Sequence, residues 1–422
     1  MLKTPDIRKK IGFTLLMLLA FRLLAAIPLP GINGDAFKEF FGDNPFGNIF
    51  TLVTGGRLDN PSIVAIGLAS YINASIIVQL LTTVIPRLEE LSKEGERGRQ
   101  MISQYTRYLT VPLSIMQSLV IYTILKKQFP NLIGEPSTLE VVTMVLSLTA
   151  GTVLLMWISE LISEEGVGNG ASFIIFAGIM ASLPGLVSRD IDTIIFDKVL
   201  LVSVIIGALV MIGGIVFITE ATRKVPIQYA RRVRGRMLYG GQSTFLPLKI
   251  NQAGVMPVIF AASLLSFPQI ITQFFISASN PSSFFYKLSE KLTLIYSNEK
   301  LWLYNLLYFL LIIIFTFFYT FVTLKPDEQA ENLKKSGGFV PGIRPGKSTA
   351  KYITSIVIRL TVIGALFLAT VALVPSLARR DTDLAIFSGI GGTSILIVVG
   401  VILDSIRRLK SMVVSRSYES YK

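Results

Sequence analysis

Two residue types are missing from this 422-residue chain, which contains no cysteine and no histidine. Without cysteine there is no disulfide, no thiol nucleophile and no thiolate metal site. Without histidine the chain lacks the usual proton carrier near neutral pH and the commonest ligand for transition metals. Serine and threonine are present, but no carboxylate cluster lies within an apolar run to activate them. We therefore expect no enzyme activity, no metal and no cofactor.

Charged residues are also scarce, at 16% of the chain, whereas a typical soluble domain carries about 25%. Hydrophobic residues make up 51% and recur in long runs. About 20 mostly apolar residues cross a bilayer core about 30 Å thick, and a helix satisfies its own backbone there. We predict an all-α polytopic membrane protein with ten transmembrane helices, near residues 11–28, 62–85, 104–125, 140–162, 171–187, 199–220, 251–275, 301–323, 353–374 and 385–406.

The distribution of basic residues predicts the orientation. Most of the 40 Lys and Arg residues fall in the segments that lie on the same side as the N-terminus. Positive loops stay in the cytoplasm, so both termini should be cytoplasmic in a multi-pass protein of the cell membrane. No cleavage site of small residues follows the basic stretch Met1–Lys10, so the first span should remain as an anchor.

Ten spans suggest two halves of five. Residues 1–187 and 199–406 would then have opposite orientations, as in inverted-repeat membrane proteins, with 188–198 as the hinge and 407–422 as a cytoplasmic tail. The sequence shows no clear internal repeat, so this division rests on the number of spans.

Two basic segments, Arg223–Ile250 and Lys325–Tyr352, are longer than the other segments on the cytoplasmic side. The first places Arg231, Arg232, Arg234 and Arg236 within six residues. Two interpretations stay open: orientation by positive charge, or docking to an acidic or phosphate-rich partner.

A short apolar segment, Ile49 to Thr54, stops at Gly55-Gly56 and is followed by Arg57 and Asp59. It is too short to cross a bilayer. It is either a stub lying in the membrane interface or a re-entrant helix surrounded by protein and water.

Charges inside the spans are few. Arg22 lies within the first span, where a charge costs about 2.5–3.5 kcal/mol on insertion scales. No Asp or Glu lies near the middle of a span, which argues against a coupled transporter. The Gly-rich stretch Glu165–Ser172 resembles a dinucleotide-binding turn. Its place between two spans favours a tight connection that caps a helix.

Five stretches together resemble one family. They are "QYTRY" (Gln104–Tyr108), "GNGASFIIFAGI" (Gly168–Ile179), "GGQSTFLPLKINQAGVMPVIFAASLLSFP" (Gly240–Pro268), "ENLKKSGGFVPGIRPGKSTAKYI" (Glu331–Ile353) and "GGTSILIVVGVILD" (Gly391–Asp404). These are long ungapped phrases, and the match extends from near residue 11 to the end of the last span. The chain resembles the SecY family, the large channel-forming subunit of the bacterial protein translocase.

The resemblance implies a clamshell with a central pore, and it implies two sets of residues on the pore axis. A re-entrant plug helix spans about residues 48–61, and its residues here are Ile49, Phe50, Leu52, Val53, Gly55, Gly56 and Arg57. We name the second set the collar: Leu68, Ile72, Ile175, Ile179, Ile259 and Ile397. Leu68/Ile72 and Ile175/Ile179 are each four apart, so each pair shares one helix face.

The resemblance also implies a lateral gate between the second and third spans and the seventh and eighth. Its residues here are Asn73, Gln79, Gln117, Asn251 and Phe267. Hydrogen bonds between helices at this gate would either hold it closed weakly or be ordinary contacts between neighbouring helices. Both interpretations stay open. For partner docking the resemblance points to Arg344 and Lys347 besides the four arginines.

The implied function is a passive channel that passes unfolded preproteins across the membrane and releases hydrophobic segments sideways. The implied partners are SecE and SecG, the SecA motor ATPase, the ribosome, signal sequences and membrane lipids. One alternative is a secondary solute transporter with inverted repeats. Another is a membrane insertase without a through-pore.

Overall fold

The computed structural model describes residues 5–30, 62–128, 137–196, 198–229, 232–234, 237–239, 243–278, 284, 287, 289, 302–381 and 392–419. The helices there are α1 (Pro5–Ala26), α2 (Ala69–Val84), α3 (Pro86–Lys93), α4 (Glu96–Gln128), α5 (Thr138–Glu165), α6 (Gly170–Phe196), α7 (Lys198–Glu220), α8 (Met256–Ala278), α9 (Trp302–Leu324), α10 (Pro326–Lys335), α11 (Lys347–Asp381) and α12 (Gly392–Glu419). The strands are β1 (Thr222–Tyr229), β2 (Arg232–Arg234), β3 (Met237–Tyr239), β4 (Ser243–Lys249) and β5 (Gly338–Phe339).

Each predicted span overlaps one described helix, but several ends differ. Helix α2 begins at Ala69, because residues 63–68 form turns and Gly67 adopts a φ of 61°. It ends at Val84, and the next residue, Ile85, is extended and precedes Pro86, as the steric effect of proline on its preceding residue requires. Helix α6 continues to Phe196, so most of the predicted hinge at 188–198 is helical.

Four described helices are long and apolar enough to cross a membrane: Thr138–Glu165, Leu201–Glu220, Trp302–Lys335 and Lys347–Val374. Helices α2 and α3 would add a fifth span if the bent pair counts as one, although they are bent by 100° at their junction. Gly170–Gly185 and Met256–Leu265 are shorter apolar helices. The apolar helices agree with a membrane protein.

The all-α prediction is incomplete, because the chain also contains two small antiparallel sheets. Strand β1 pairs with β4 from Thr222↔Lys249 to Gln228↔Ser243, and β5 pairs with the other edge of β1 at Gln228 and Tyr229. Strands β2 and β3 form a separate ribbon. The basic segment Arg223–Ile250, which we interpreted by its charge, also shows alternating burial. Val225 and Ile227 are buried between exposed residues, which is a strand pattern.

The three-stranded sheet joins the two long basic segments, since β1 and β4 come from the first segment and β5 comes from the second. Beneath it lies a core of buried aliphatic side chains: Val225, Leu248, Leu324, Val340, Ile353 and Val357. The described part of each segment thus buries hydrophobic surface and contributes strands to a sheet.

The contacts divide the chain into two compact units. Unit 1 comprises Met1–Lys198, Ala262–Asn305 and Pro375–Lys422, and unit 2 comprises Val199–Ala261 and Leu306–Val374. In unit 1, α2 packs on α4, α4 on α5, α5 on α6, and α6 on α12, while α1 contacts α5 and α6. The predicted halves, 1–187 and 199–406, stay a prediction.

Candidate functional site

Two collar residues, Leu68 and Ile72, lie just before α2 and in its first turn, where the chain is closely packed. The Ile63 N–H donates to the Ile27 carbonyl at 3.1 Å. Gly151 of α5 faces the same segment so closely that an added Cβ would lie 2.0 Å from the Ile63 carbonyl oxygen. Leu68 and Ile72 follow this contact and are buried.

A buried polar contact joins α2 to α4. The Ser70 hydroxyl donates to Gln117 Oε1 at 2.6 Å, and the hydroxyls of Ser114 and Ser118 donate to carbonyls of their own helix. Ser70 lies between the two collar residues of α2 in sequence, and our sequence analysis did not single it out. For Gln117, a predicted gate residue, the bond favours the interpretation as a contact between two neighbouring helices.

The turn between α5 and α6 confirms the capping interpretation of the Gly-rich stretch. Asn169 Oδ1 accepts the Ser172 N–H at 3.3 Å, and the Ser163 hydroxyl oxygen accepts the Gly170 N–H at 2.9 Å. A Cβ at Gly170 would lie 1.8 Å from the Ser159 carbonyl oxygen. The glycine therefore permits a close approach, and α6 begins with satisfied N–H groups.

Helix α6 carries Ile175 and Ile179, and α12, which packs on it, carries Ile397. All three side chains are buried. Two adjoining helices of unit 1 thus bring three of the six collar residues into its interior. The chain places them there through α6–α12 packing, a contact between segments more than 200 residues apart.

The sixth collar residue, Ile259, lies in unit 2 near the start of α8 and is also buried. Its neighbour Phe260 makes edge-to-face contacts with Phe315 and Tyr319 of α9, with ring centroids 6.1 and 5.9 Å apart. Taken together, the six collar side chains are between 1% and 7% exposed. All six side chains are therefore shielded from solvent.

The remaining gate residues are distributed over both units. Asn73 is buried and Gln79 half-buried on α2, while Asn251 is buried shortly before α8. Asn251 Oδ1 and Gln117 Nε2 are buried without a hydrogen-bond partner in the described part of the chain. Phe267 belongs to α8. The gate itself stays a prediction.

The predicted docking residues Arg344 and Lys347 are exposed beside the sheet. Gly342 and Gly346, with φ of 80° and 104°, flank Arg344, and these values favour glycine. The Thr349 hydroxyl donates to the Arg344 carbonyl at 2.9 Å. The turn therefore holds its backbone while the guanidinium is displayed to solvent.

The other predicted docking residues are the four arginines near residue 231. Of these, Arg232 and Arg234 lie in strand β2. Arg231, Arg236 and the seven plug residues, Ile49, Phe50, Leu52, Val53, Gly55, Gly56 and Arg57, lie outside the described residues.

One ion pair was missed by the sequence analysis. Arg107 of the "QYTRY" stretch pairs with Glu160 of α5, at 2.9 Å between Nε and Oε1, and the Ser103 hydroxyl donates to the same oxygen at 3.4 Å. The Glu160 side chain is only 13% exposed, so the pair is a contact between α4 and α5.

Comparison with known sequences identifies the family. A model of the SecY family matches residues 62–406. The chain is 44% identical to protein translocase subunit SecY of Halalkalibacterium halodurans, over 99% of this chain and 97% of that protein. The chain belongs to the SecY family. The SecY subunit of Mycobacterium bovis is 41% identical over 100% of this chain and 98% of its own length.

Solved structures share the fold. A structure of a protein-conducting channel has a TM-score of 0.68 at 18% identity and covers 98% of this chain and 94% of its own. A structure of SecY in which the plug domain stabilises the closed state scores 0.67, with the same identity and coverage. Sec61 in the canine ribosome-channel complex scores 0.66, also at 18% identity with 98% and 94% coverage. The structures agree in fold, and the family model and the sequence relatives confirm the predicted resemblance to the SecY family.

Proposed function

We propose that this chain is the channel-forming subunit of a protein translocase. It passes unfolded preproteins across the cell membrane and releases hydrophobic segments sideways into the bilayer. The observation that carries the proposal is the full-length similarity to translocase subunits of the SecY family. The channel itself is passive and has no catalytic role, and a partner motor or translation supplies the energy.

The proposed architecture is a clamshell of ten transmembrane helices in two inverted halves with both termini in the cytoplasm. A described helix at each predicted span supports it, as does the likeness in fold to protein-conducting channels. The sheet formed by the two long basic segments then lies on the cytoplasmic face, because basic segments stay there.

The six collar residues form the constriction in this proposal. A narrow ring of aliphatic side chains loses its water and blocks ions. Such side chains have no hydrogen bonds to break, so they yield to a passing polypeptide. The burial of all six supports the assignment, because a channel-lining residue must not face lipid.

The plug at about residues 48–61 covers the constriction from the non-cytoplasmic side. About ten helical residues reach only about 15 Å, half the hydrocarbon thickness. The related SecY structure with a plug domain that maintains a membrane seal supports this part.

The lateral gate in this proposal comprises Asn73, Gln79, Gln117, Asn251 and Phe267. The Ser70–Gln117 bond holds its α2–α4 side together. Interhelical hydrogen bonds are worth about 0.6–2 kcal/mol in bilayers, so an apolar signal helix can compete with those that close the seam.

Partners dock on the cytoplasmic sheet and its neighbouring turn. Arg344 and Lys347 are exposed there, and Arg232 and Arg234 of the four arginines lie in β2. We propose SecA and the ribosome as the partners on this surface and SecE and SecG as small membrane subunits. The Sec61 structure within a ribosome complex supports the ribosome.

The main alternative, a solute transporter, is not favoured. The buried polar residues of the described chain are Ser, Thr, Asn and Gln, whereas a coupled transporter uses a buried ionisable group. Purified protein with SecE and SecG in proteoliposomes decides between the two. ATP and SecA should drive a labelled preprotein into a protease-protected space, while vesicles without SecA serve as the control. Saturable uptake of a small solute without preprotein transport would refute the proposal.

A further inference from the structure

The proposed function leaves Arg22, a charge within the first predicted span, without a role. Arg22 lies near the end of α1, and its Nη2 donates a hydrogen bond to the main-chain carbonyl of Ala177 on α6. The guanidinium carbon also lies 5.0 Å from the centre of the Phe21 ring. Phe21 is buried, so the charged group has favourable partners on the protein side of α1.

The acceptor occupies a special position on α6. Ala177 lies between Ile175 and Ile179, the two collar residues of this helix, which are both buried. A helical carbonyl has a second lone pair beyond the one used within the helix. Arg22 can therefore bind the backbone of α6 at a residue that lies between the two collar residues in sequence, without breaking the helix.

Two residues near Ala177 reduce the helical stability of α6. Gly178 follows Ala177, and glycine has low helix propensity. Pro184 lies inside the same helix, and its missing N–H leaves the carbonyl of Met180 without its usual partner. A helix with these two residues bends more readily, so an attachment from a neighbouring helix restricts its position.

A second hydrogen bond joins α1 to the turn that precedes α6. The Thr14 hydroxyl oxygen of α1 accepts the Val167 N–H at 3.1 Å, just before α6 begins. Thr14 and Arg22 are eight residues apart, about 12 Å along a helix. Helix α1 therefore contacts the turn just before α6 and α6 itself at Ala177, and the second contact lies among the collar residues of α6.

We propose that Arg22 is a positioning residue for the collar. Its hydrogen bond to Ala177 holds the backbone of α6 so that Ile175 and Ile179 stay in the closed constriction. This inference rests on the proposed channel function. It predicts that losing the bond loosens the closed state while the chain still folds and assembles.

Single-channel recording in planar bilayers tests the inference with Arg22→Met, which removes the donor and keeps a long apolar side chain. Loss of a charge-assisted hydrogen bond shifts a two-state equilibrium roughly 10- to 100-fold, so resting ion conductance should rise by a similar factor. Arg22→Lys, which keeps a charged donor, should restore part of the seal. Arg359→Met removes the other intraspan arginine, which is exposed on α11, and should leave conductance unchanged.

Thiol labelling separates local loosening from general damage, and the chain has no cysteine of its own to interfere. A single cysteine at Ile179 should react with a water-soluble reagent in the Arg22→Met background but not with Arg22 present. A cysteine at Ile174, buried on the same helix, should stay unreactive in both. Reaction at both positions would mean general unfolding of α6 and would overturn the inference.

A collar variant, Ile72→Asn, distinguishes the two possible failures. If Ile72→Asn conducts and Arg22→Met does not, the positioning role is wrong and the channel function stands. If neither conducts, the collar and the positioning role both fail.

Discussion

Replacing Gly151 by alanine perturbs the contact that fixes the start of α2. The new Cβ would lie 2.0 Å from the Ile63 carbonyl oxygen and 2.7 Å from its carbonyl carbon. Ordinary contacts begin at 3.4 Å. The segment before α2 must therefore move by about 1.4 Å, because backbone cannot rotate away as a side chain can.

The energetic consequence has two opposed parts. Overpacking costs typically about 1–3 kcal/mol, and the rigid carbonyl places this case at the upper end. Alanine gains back about 1 kcal/mol over glycine inside a helix. We expect a net loss of about 2 kcal/mol and a displaced Leu68, which follows the moved segment by a few residues.

Two measurements check this prediction. Thermal unfolding in detergent micelles, followed by tryptophan fluorescence, should show a lower midpoint for Gly151→Ala, and resting conductance in bilayers should rise. Gly207→Ala is the matched control, since a Cβ there would meet nothing within 4 Å, and it should unfold no earlier than the native protein. A Gly151→Ala protein with native stability and native conductance would refute the reasoning.

Three further predictions concern the gate and the docking surface. Ser70→Ala leaves the buried amide of Gln117 without its donor and should destabilise the protein by about 1–3 kcal/mol; the double variant with Gln117→Leu should recover most of this in the same unfolding assay. Arg344→Glu should slow SecA-driven transport about tenfold or more through charge repulsion without changing co-purification of SecE, and Arg344→Lys should transport nearly normally; equal rates would contradict the docking role. Cysteines at Asn73 and Phe267 should form a disulfide on oxidation that stops transport and is reversed by reductant, and continued transport by the bridged channel would place the gate elsewhere.

The approximate positions of the membrane helices were predictable, because each long apolar run can be recognised in the sequence itself. Their ends were predictable where a local steric rule applies, as at Ile85 before Pro86. The late start of α2 was not, because the segment before it packs closely against Gly151 of α5, which is distant in sequence. A hydropathy window cannot distinguish turns from helix when both are apolar.

The sheet was missed for a different reason. The density of arginine near residue 231 led us to interpret this segment by its charge alone. The strand pattern, in which Val225 and Ile227 alternate with exposed residues, spans only a few positions. Its partner strand β5 has two residues and comes from another segment. Pairing of that kind leaves almost no local signal.

The collar shows both the strength and the limit of sequence reasoning. Residues four apart share a helix face on any helix, so the spacing of Ile175 and Ile179 could not by itself assign them to a pore. Resemblance to the SecY family singled them out, and both side chains are buried; their place in a pore stays a prediction. The partner of Gln117 could not be predicted, because Ser70 lies 47 residues away and serine is common in membrane helices.

Ion conductance of the resting channel with Ile72→Asn tests the central claim most directly. Ile72 is buried in the proposed collar, whereas Ile206 on α7 is exposed and supplies a matched Ile→Asn control. An amide in the constriction holds water that an aliphatic side chain excludes. We expect a clear rise in resting conductance for Ile72→Asn and none for Ile206→Asn. Equal conductance of the native and Ile72→Asn proteins, with both assembled, would contradict the account.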